Sequence, residues 1–345
     1  MRAAVCLGFA LLLSGCAGGG SSSAVSSSAT TTAPEGTSVV ERGSTLWVGT
    51  PGAVYAYPKL RNGPAGTPQR SIVFALKAGQ SGYDTTVAPD GTVYESLGDG
   101  VAIYGPWVNG SGDPEEHLSV GDEAVILGYG IDTITSTVTN PAPLQRCTTA
   151  TIPTYAYGAG PNPSPEQTLT VPFDCSVGFE RGNYLRVDFA TDTNDRLYVY
   201  QGYTVKVFAP GAIGNASPVQ TFSVNVAMPD NFTVGADGTV YILATDVMVE
   251  FGWVYEWAPN ARNSTSPSRV LGPFKLRDEH DRYALALGAI AVDGSGRLFL
   301  AEDPTNGPAQ VLTFAAGASG TAAPIATLTN PVPAGTPITS LAIGP

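Results

Sequence analysis

The chain has 345 residues, a formal net charge of −12, 41 glycines and 28 prolines, and only 13% of its residues are charged. A surface with this surplus of acid repels nucleic acid and anionic lipid, whose recognition depends on clustered Lys and Arg, so a nucleic-acid partner is excluded. Abundant Gly and Pro with few charges suit a turn-rich β protein outside the cytoplasm better than a helical one.

The first residues, MRAAVCLGFALLLSGC, place Arg2 ahead of an apolar run from Ala3 to Leu13. That run is too short to span a bilayer as a permanent helix, and residues 1–15 look like a bacterial signal peptide. Leu13, Ser14, Gly15 and Cys16 resemble the lipobox of bacterial lipoproteins, in which the cysteine thiol receives a diacylglycerol and becomes the new N-terminus. The resemblance implies lipidation at Cys16, an anchor in the lipid bilayer of the cell envelope and an extracytoplasmic domain. The alternative is an ordinary cleaved leader in which Cys16 is incidental. Residues 16–43 form the lipidated cysteine and a tether of mostly Gly, Ser, Thr and Ala, which buries too little apolar surface to offset chain entropy. As a flexible coil the tether reaches roughly 30 Å. Ala17, where an Asp is absent, is similar to outer-membrane sorting in a bacterium with two membranes.

From residue 44 onward two short patterns repeat. The first begins with an aromatic residue and reaches a proline about ten positions later, as in "FAPGAIGNASPVQTF" from Phe208 to Phe222. Copies start at Tyr57, Tyr104, Tyr157, Phe208, Trp257 and Phe314, with a gap of eleven in the first and eight in the third. Four residues after each proline stands an apolar residue: Ile72, Leu118, Leu169, Phe222, Leu271 and Leu328. Alternating stretches such as "TVKVF" precede the aromatic and have the period of a strand with two unlike faces. A proline beside the next strand suits a sheet edge, where its missing N–H breaks no ladder bond.

The second pattern is a tight acidic turn, in "VAPDGTVY", "ATDTNDRLY", "VGADGTVY" and "VDGSGRLF", which reads as a hairpin. The two patterns together define four strands, a to d, per unit of about 50 residues, with b strands at Leu46, Val93, near Thr133, Leu197, Val240 and Leu298. "STLWVG" at 44–49 is a b strand lacking its a strand, and "SLAIG" at 340–344 is an a strand lacking its b. The expectation is therefore one all-β domain, 44–345, forming a six-bladed β-propeller of four antiparallel strands per blade, with one blade closed by strands from both termini. Through "ADGTVYIL" and "DGSGRLFLAED" the domain resembles propellers built from NHL-like repeats, in the group that includes the TolB-like and gluconolactonase-like propellers.

In such a propeller the a–b and c–d turns occupy one end of the blades, and the irregular b–c and d–a links occupy the other. Cys147 and Cys175 fall on two long irregular links, and an oxidising compartment favours their pairing as a disulfide. The insertion "KLRDEHDRYA" carries Asp278, Glu279, His280 and Asp281, which offer oxygen and imidazole ligands or a general base; its bland reading is a solvated charged loop. Asp99, Asp174, Glu180, Asp246, Glu250, Glu302 and Asp303 are expected at the same end, where carboxylates suit Ca²⁺ or Mg²⁺. His117, beside an outer strand, is expected at the surface. No G-x-S-x-G elbow, Walker loop or paired CxxC occurs. The resulting expectation is a membrane-anchored, non-catalytic scaffold that binds a protein, polysaccharide or small ligand. The alternative, implied by the lactonase-like resemblance, is a metal-dependent hydrolase or lyase with its site at the channel mouth.

Overall fold

The computed structural model describes residues 45–77, 80–82, 84–97, 100–118, 126–127, 133–135, 149–155, 164–172, 187–201, 203–224, 226, 229–246, 251–263, 266–275, 287–302 and 308–345. All lie in one compact unit, 40–345, and every regular element among them is a β-strand.

Strands β1 (Thr45–Thr50), β2 (Ala53–Pro58) and β4 (Arg70–Phe74) pair antiparallel in succession, with β3 (Gly63–Pro64) in the loop before β4. The second sheet contains β5 (Thr85–Val87), β6 (Val93–Ser96), β7 (Val101–Tyr104) and β9 (Glu116–Leu118), with β8 (Gly110–Gly112) in its last loop. The third contains β10 (Ile126–Leu127), β11 (Thr133–Thr135), β12 (Thr149–Tyr155) and β13 (Gln167–Pro172). The fourth contains β14 (Val187–Thr191), β15 (Leu197–Gln201), β16 (Thr204–Phe208) and β17 (Gln220–Ser223). The fifth contains β18 (Pro229–Val234), β19 (Val240–Asp246), β20 (Phe251–Trp257) and β21 (Arg269–Lys275). The sixth contains β22 (Leu287–Val292), β23 (Leu298–Glu302), β24 (Gln310–Phe314) and β25 (Ala326–Thr329), and β26 (Ser340–Gly344) lies antiparallel to β1. Meanders of four antiparallel strands repeated in this way make a β-propeller. Five blades are counted, against the six expected; in the third sheet the residues on either side of β10 and β11 lie outside those described.

The acidic turns are built as the hairpin pattern requires. Asp90, Asp192, Asp237 and Asp293 each accept, at 2.9 Å, a hydrogen bond from the backbone N–H two residues on, which closes the a–b turn locally. In every blade the aromatic that ends strand c pairs across the sheet with the first aliphatic position of strand b: Leu46 with Tyr57, Val93 with Tyr104, Leu197 with Phe208, Val240 with Trp257, and Leu298 with Phe314. In the third sheet Thr133 faces Tyr155, so Tyr155, and not Tyr157, is the repeat aromatic there. The substitution restores the ten-residue spacing to Pro165. Tyr157 lies outside the described residues.

The structure adds a contact that the spacing alone does not reveal. Six residues after the aromatic stand Gly63, Gly110, Gly214, Asn263 and Gly320, all with positive φ between 50° and 93°. This turn swings the c–d loop sideways onto the preceding blade. Gly63 pairs with Leu328, Gly110 with Ile72, Gly214 with Leu169 and Gly320 with Leu271, each in parallel with an outer strand. The third copy has Pro161 at this position, outside the described residues. Side chains reinforce the contact: Arg70 donates to the Val108, Gly91 and Gly105 carbonyls, and Gln220 donates to the Ala261 carbonyl. Outer strands that read as open edges are thus covered by the neighbouring loop, which blunts the tendency of a free edge to pair with another chain.

The core lies between consecutive sheets rather than in one central mass. Tyr198, Val207 and Phe222 of the fourth sheet pack with Phe232, Ile242 and Trp257 of the fifth, and Phe299, Val311 and Leu328 of the sixth pack with Leu46, Val48 and Tyr57 of the first. Inner strands stand side by side, β26 by β5, β5 by β10, β10 by β14, β14 by β18, β18 by β22 and β22 by β26.

Candidate functional site

Strands β5, β14, β18, β22 and β26 surround a cavity of about 110 Å³ along the blade axis. Their register gives it two unlike ends. At the hairpin end Val87, Thr191, Val234, Val292 and Ile343 each face the first aliphatic position of strand b. Three residues earlier along each strand stand Asp84, Asp188, Asn231, Ala289 and Ser340, which line the same cavity at the end where the irregular links arrive. The residues at that level are therefore mostly polar, with the Ser340 hydroxyl turned to Thr85, and those at the hairpin level are mainly aliphatic. Such a concave site with a few convergent polar groups suits a small polar ligand or the end of a polymer.

Asn231 also joins blades, since its side-chain oxygen accepts a hydrogen bond from the Ile290 N–H at 3.2 Å. Ser340 belongs to a buried chain of hydrogen bonds at the junction of the first and second sheets. The Ser340 hydroxyl donates to the Thr85 hydroxyl at 2.7 Å, and Thr85 donates to a Glu95 carboxyl oxygen at 2.6 Å. Glu95 has no solvent exposure and occupies the position held by Val48, Val199, Ile242 and Leu300 in other sheets. Two glycines leave room for it: a Cβ on Gly49 would fall on the Ser340 hydroxyl, and one on Gly82 would come within 2.5 Å of Glu95. Burial, with Glu95 nearby, pushes the Tyr104 hydroxyl up to about 12. Sequence reasoning missed Glu95; the available signal was an acid at an alternation position that is aliphatic in the other repeats.

Cys16, Cys147, Cys175, Asp174, Asp278, Glu279, His280 and Asp281 lie outside the described residues, as do Asp99, Glu180, Glu250 and Asp303. Asp246 ends β19 opposite Phe251, and its side chain is likewise not described. Glu302 ends β23 and accepts a hydrogen bond from Gln310. Among the described residues no group of three or more His, Cys, Asp and Glu side chains is placed to hold a metal ion. His117 is half-buried in β9 against the Gly100 turn rather than fully at the surface, because that glycine leaves space for the ring.

The strongest charge pairs sit at the opposite, hairpin end and brace the blades. Asp192 is held by Arg196 at 2.5 Å and accepts from the Tyr198 hydroxyl at 3.1 Å. Asp293 pairs with Arg297 at 2.7 Å and with Lys59, from the first sheet, at 3.1 Å. Burial alone would raise the Asp293 carboxyl, but hydrogen bonds from Ser295, Arg297 and Lys59 outweigh it and hold the group at about 2.

No known protein family profile matches the sequence, and no curated protein is similar to it. Similarity to solved structures is in shape. A protein of unknown function from Bacteroides caccae superposes with a TM-score of 0.54 at 10% identity, covering 87% of this chain and 98% of its own. The WD40 domain of Toxoplasma gondii coronin gives a TM-score of 0.47 at 16% identity, over 83% of this chain and 68% of that one. At these identities the likeness is one of fold alone, and it rests on the first of the two: a β-propeller.

Proposed function

We propose that the chain is a lipid-anchored envelope protein whose propeller, six blades in a closed ring, binds a polar ligand at its channel mouth without catalysing a reaction. The six-blade reading is supported by six sheets at the spacing of the repeat, by the unbroken circle of neighbouring inner strands, and by the pairing of Thr45–Gly49 with Ser340–Gly344. Kinship with NHL-like propellers rests on the acidic hairpin turns, and lipidation on the Leu13-to-Cys16 motif. Pairing of Cys147 with Cys175 accompanies export to an oxidising compartment and would close a loop worth roughly 3 kcal/mol.

One observation carries the binding function. Asp84, Asp188, Asn231 and Ser340 line one cavity, each three residues before the residue that faces the start of strand b, at the end away from the acidic hairpins. Repeated turns serve the fold, whereas unlike links around a polar mouth serve recognition. The discriminating experiment is a thermal melt of the chelated mature protein with and without millimolar Ca²⁺ or Mg²⁺. No shift is expected. A resident metal would stabilise the folded state by about 2.7 kcal/mol at a hundred times its dissociation constant, and that result would favour the lactonase-like alternative involving Asp278, Glu279 and His280.

A further inference from the structure

We propose that Asn62 and Asn109 are sites of spontaneous deamidation gated by the c–d loops, so that a loop lifted from its neighbouring blade is modified and no longer docks in register. Each stands directly before a glycine, the residue that hinders attack on the side-chain amide least. Both asparagines are exposed, and nothing lies within 4 Å of where a Cβ would sit on Gly63 or Gly110. Among the c–d loop glycines that pair in parallel with an outer strand, Gly63 and Gly110 follow an asparagine, whereas Ile213 and Ser319 precede Gly214 and Gly320. The two loops are neighbours in the ring, since Gly63 lies on β25 of the sixth sheet and Gly110 on β4 of the first.

The reaction forms a bond from the glycine nitrogen to the asparagine Cγ and breaks the bond from Cγ to Nδ2. Hydroxide takes the glycine proton, the side-chain nitrogen leaves as ammonia, and water opens the resulting succinimide to aspartate or isoaspartate. Amide and water become carboxylate and ammonium, so neither oxidant nor cofactor is needed. In the docked loop both reacting groups are engaged. Asn109 Oδ1 accepts a hydrogen bond from the Ser71 N–H at 3.0 Å, and Asn62 Oδ1 accepts one from the Thr327 N–H at 3.1 Å. The Gly214 and Gly320 nitrogens donate to the Thr168 and Val270 carbonyls, and Gly63 and Gly110 hold the same register on Leu328 and Ile72. The nucleophile is therefore held against the neighbouring outer strand until the loop lifts. Isoaspartate then carries the main chain through Cβ, which inserts a methylene before the glycine and moves it off that register.

The test ages the purified protein at mildly alkaline pH with and without urea, and peptide mass spectrometry measures aspartate and isoaspartate at each site. Both sites are expected to react in urea and to be slower in the folded protein by at least about tenfold, the factor set by a local opening cost of about 1.4 kcal/mol. Arg70 holds the second sheet's loop through the Val108, Gly91 and Gly105 carbonyls, a fork that lysine does not reproduce. Arg70→Lys is expected to speed the reaction at Asn109 severalfold and to leave Asn62 unchanged. In the form aged at Asn109 and separated by anion exchange, hydrogen exchange at the Ser71 N–H should quicken. Equal rates with and without urea, a parallel rise at both sites in Arg70→Lys, or undiminished protection of Ser71 in the aged form overturns the proposal. If Arg70→Lys does not fold, the urea comparison and the Ser71 exchange decide the matter.

Discussion

Asp293 illustrates how one side chain can belong to two blades. It caps its own hairpin through Ser295 and Arg297, and it takes Lys59 from the first sheet, so its carboxylate is stabilised only in the folded protein. With a folded value near 2 against an ordinary 3.8, the group adds stability that is complete above about pH 4 and is lost as the pH falls toward 2. The loss amounts to about 2 kcal/mol. Denaturant titrations at pH 5 and pH 2.5 should show it, and Asp293→Asn should flatten the difference. Glu95 supports a second expectation at this scale. Gly82→Ala drives a methyl onto the Glu95 carboxyl oxygen and toward the Thr50 carbonyl, which should cost about 1–3 kcal/mol. In a Glu95→Val background, which imitates Val48 and Val199, the same change should cost less. Equal costs in the two backgrounds would show that the crowding is not with Glu95.

Between residues and the whole propeller stands the c–d loop, the element that joins neighbouring blades. Its turn needs positive φ six residues after the aromatic, a region in which a Cβ is unfavourable unless the residue is Asn or Asp. Gly320 has φ 57° with open space around it, and Asn263 adopts φ 50° at the corresponding site. Gly320→Asn should therefore be nearly neutral, whereas Gly320→Val should lose about 1–2 kcal/mol and loosen the bonds to Val270 and Gly272. Chemical denaturation together with hydrogen exchange at Gly272 measures both effects. Tyr155 tests the corrected alignment of the third repeat. As a buried residue opposite Thr133, it should cost about 3 kcal/mol on replacement by Ala. A negligible cost would return the aromatic role to another residue.

At the scale of the molecule, stability depends on every blade having a neighbour, because each core is shared by two sheets. Removing residues 340–345 deletes β26, bares β1 and strips Leu341 from the core between the sixth and first sheets. A cooperative melt should be replaced by a broad, earlier transition with binding of a hydrophobic dye. Retention of the full-length melting curve would sink the closed-ring reading. The wrapped contact between blades makes the same point at single-residue resolution, since Gly288 lies so close to the Ile338 carbonyl that a Cβ would fall on that oxygen.

Much of this organisation was legible in the sequence because it is periodic. The acidic turns, the aromatic and the proline are local requirements of hairpins and edges, and each repeat states them again, so strand order and the four-stranded blade emerged from spacing. Even the third repeat, where Tyr157 stood in for Tyr155, was displaced by only one turn of alternation. What the spacing did not contain is which groups meet. The contact of Gly63 with Leu328, the Lys59–Asp293 pair and the Ser340–Thr85–Glu95 relay link residues hundreds of positions apart or on different blades, and no local pattern encodes such a distance. The polar level of the channel has the same origin. Asp84, Asp188, Asn231 and Ser340 share no motif and come together only because strand register sets each of them the same number of residues from its hairpin.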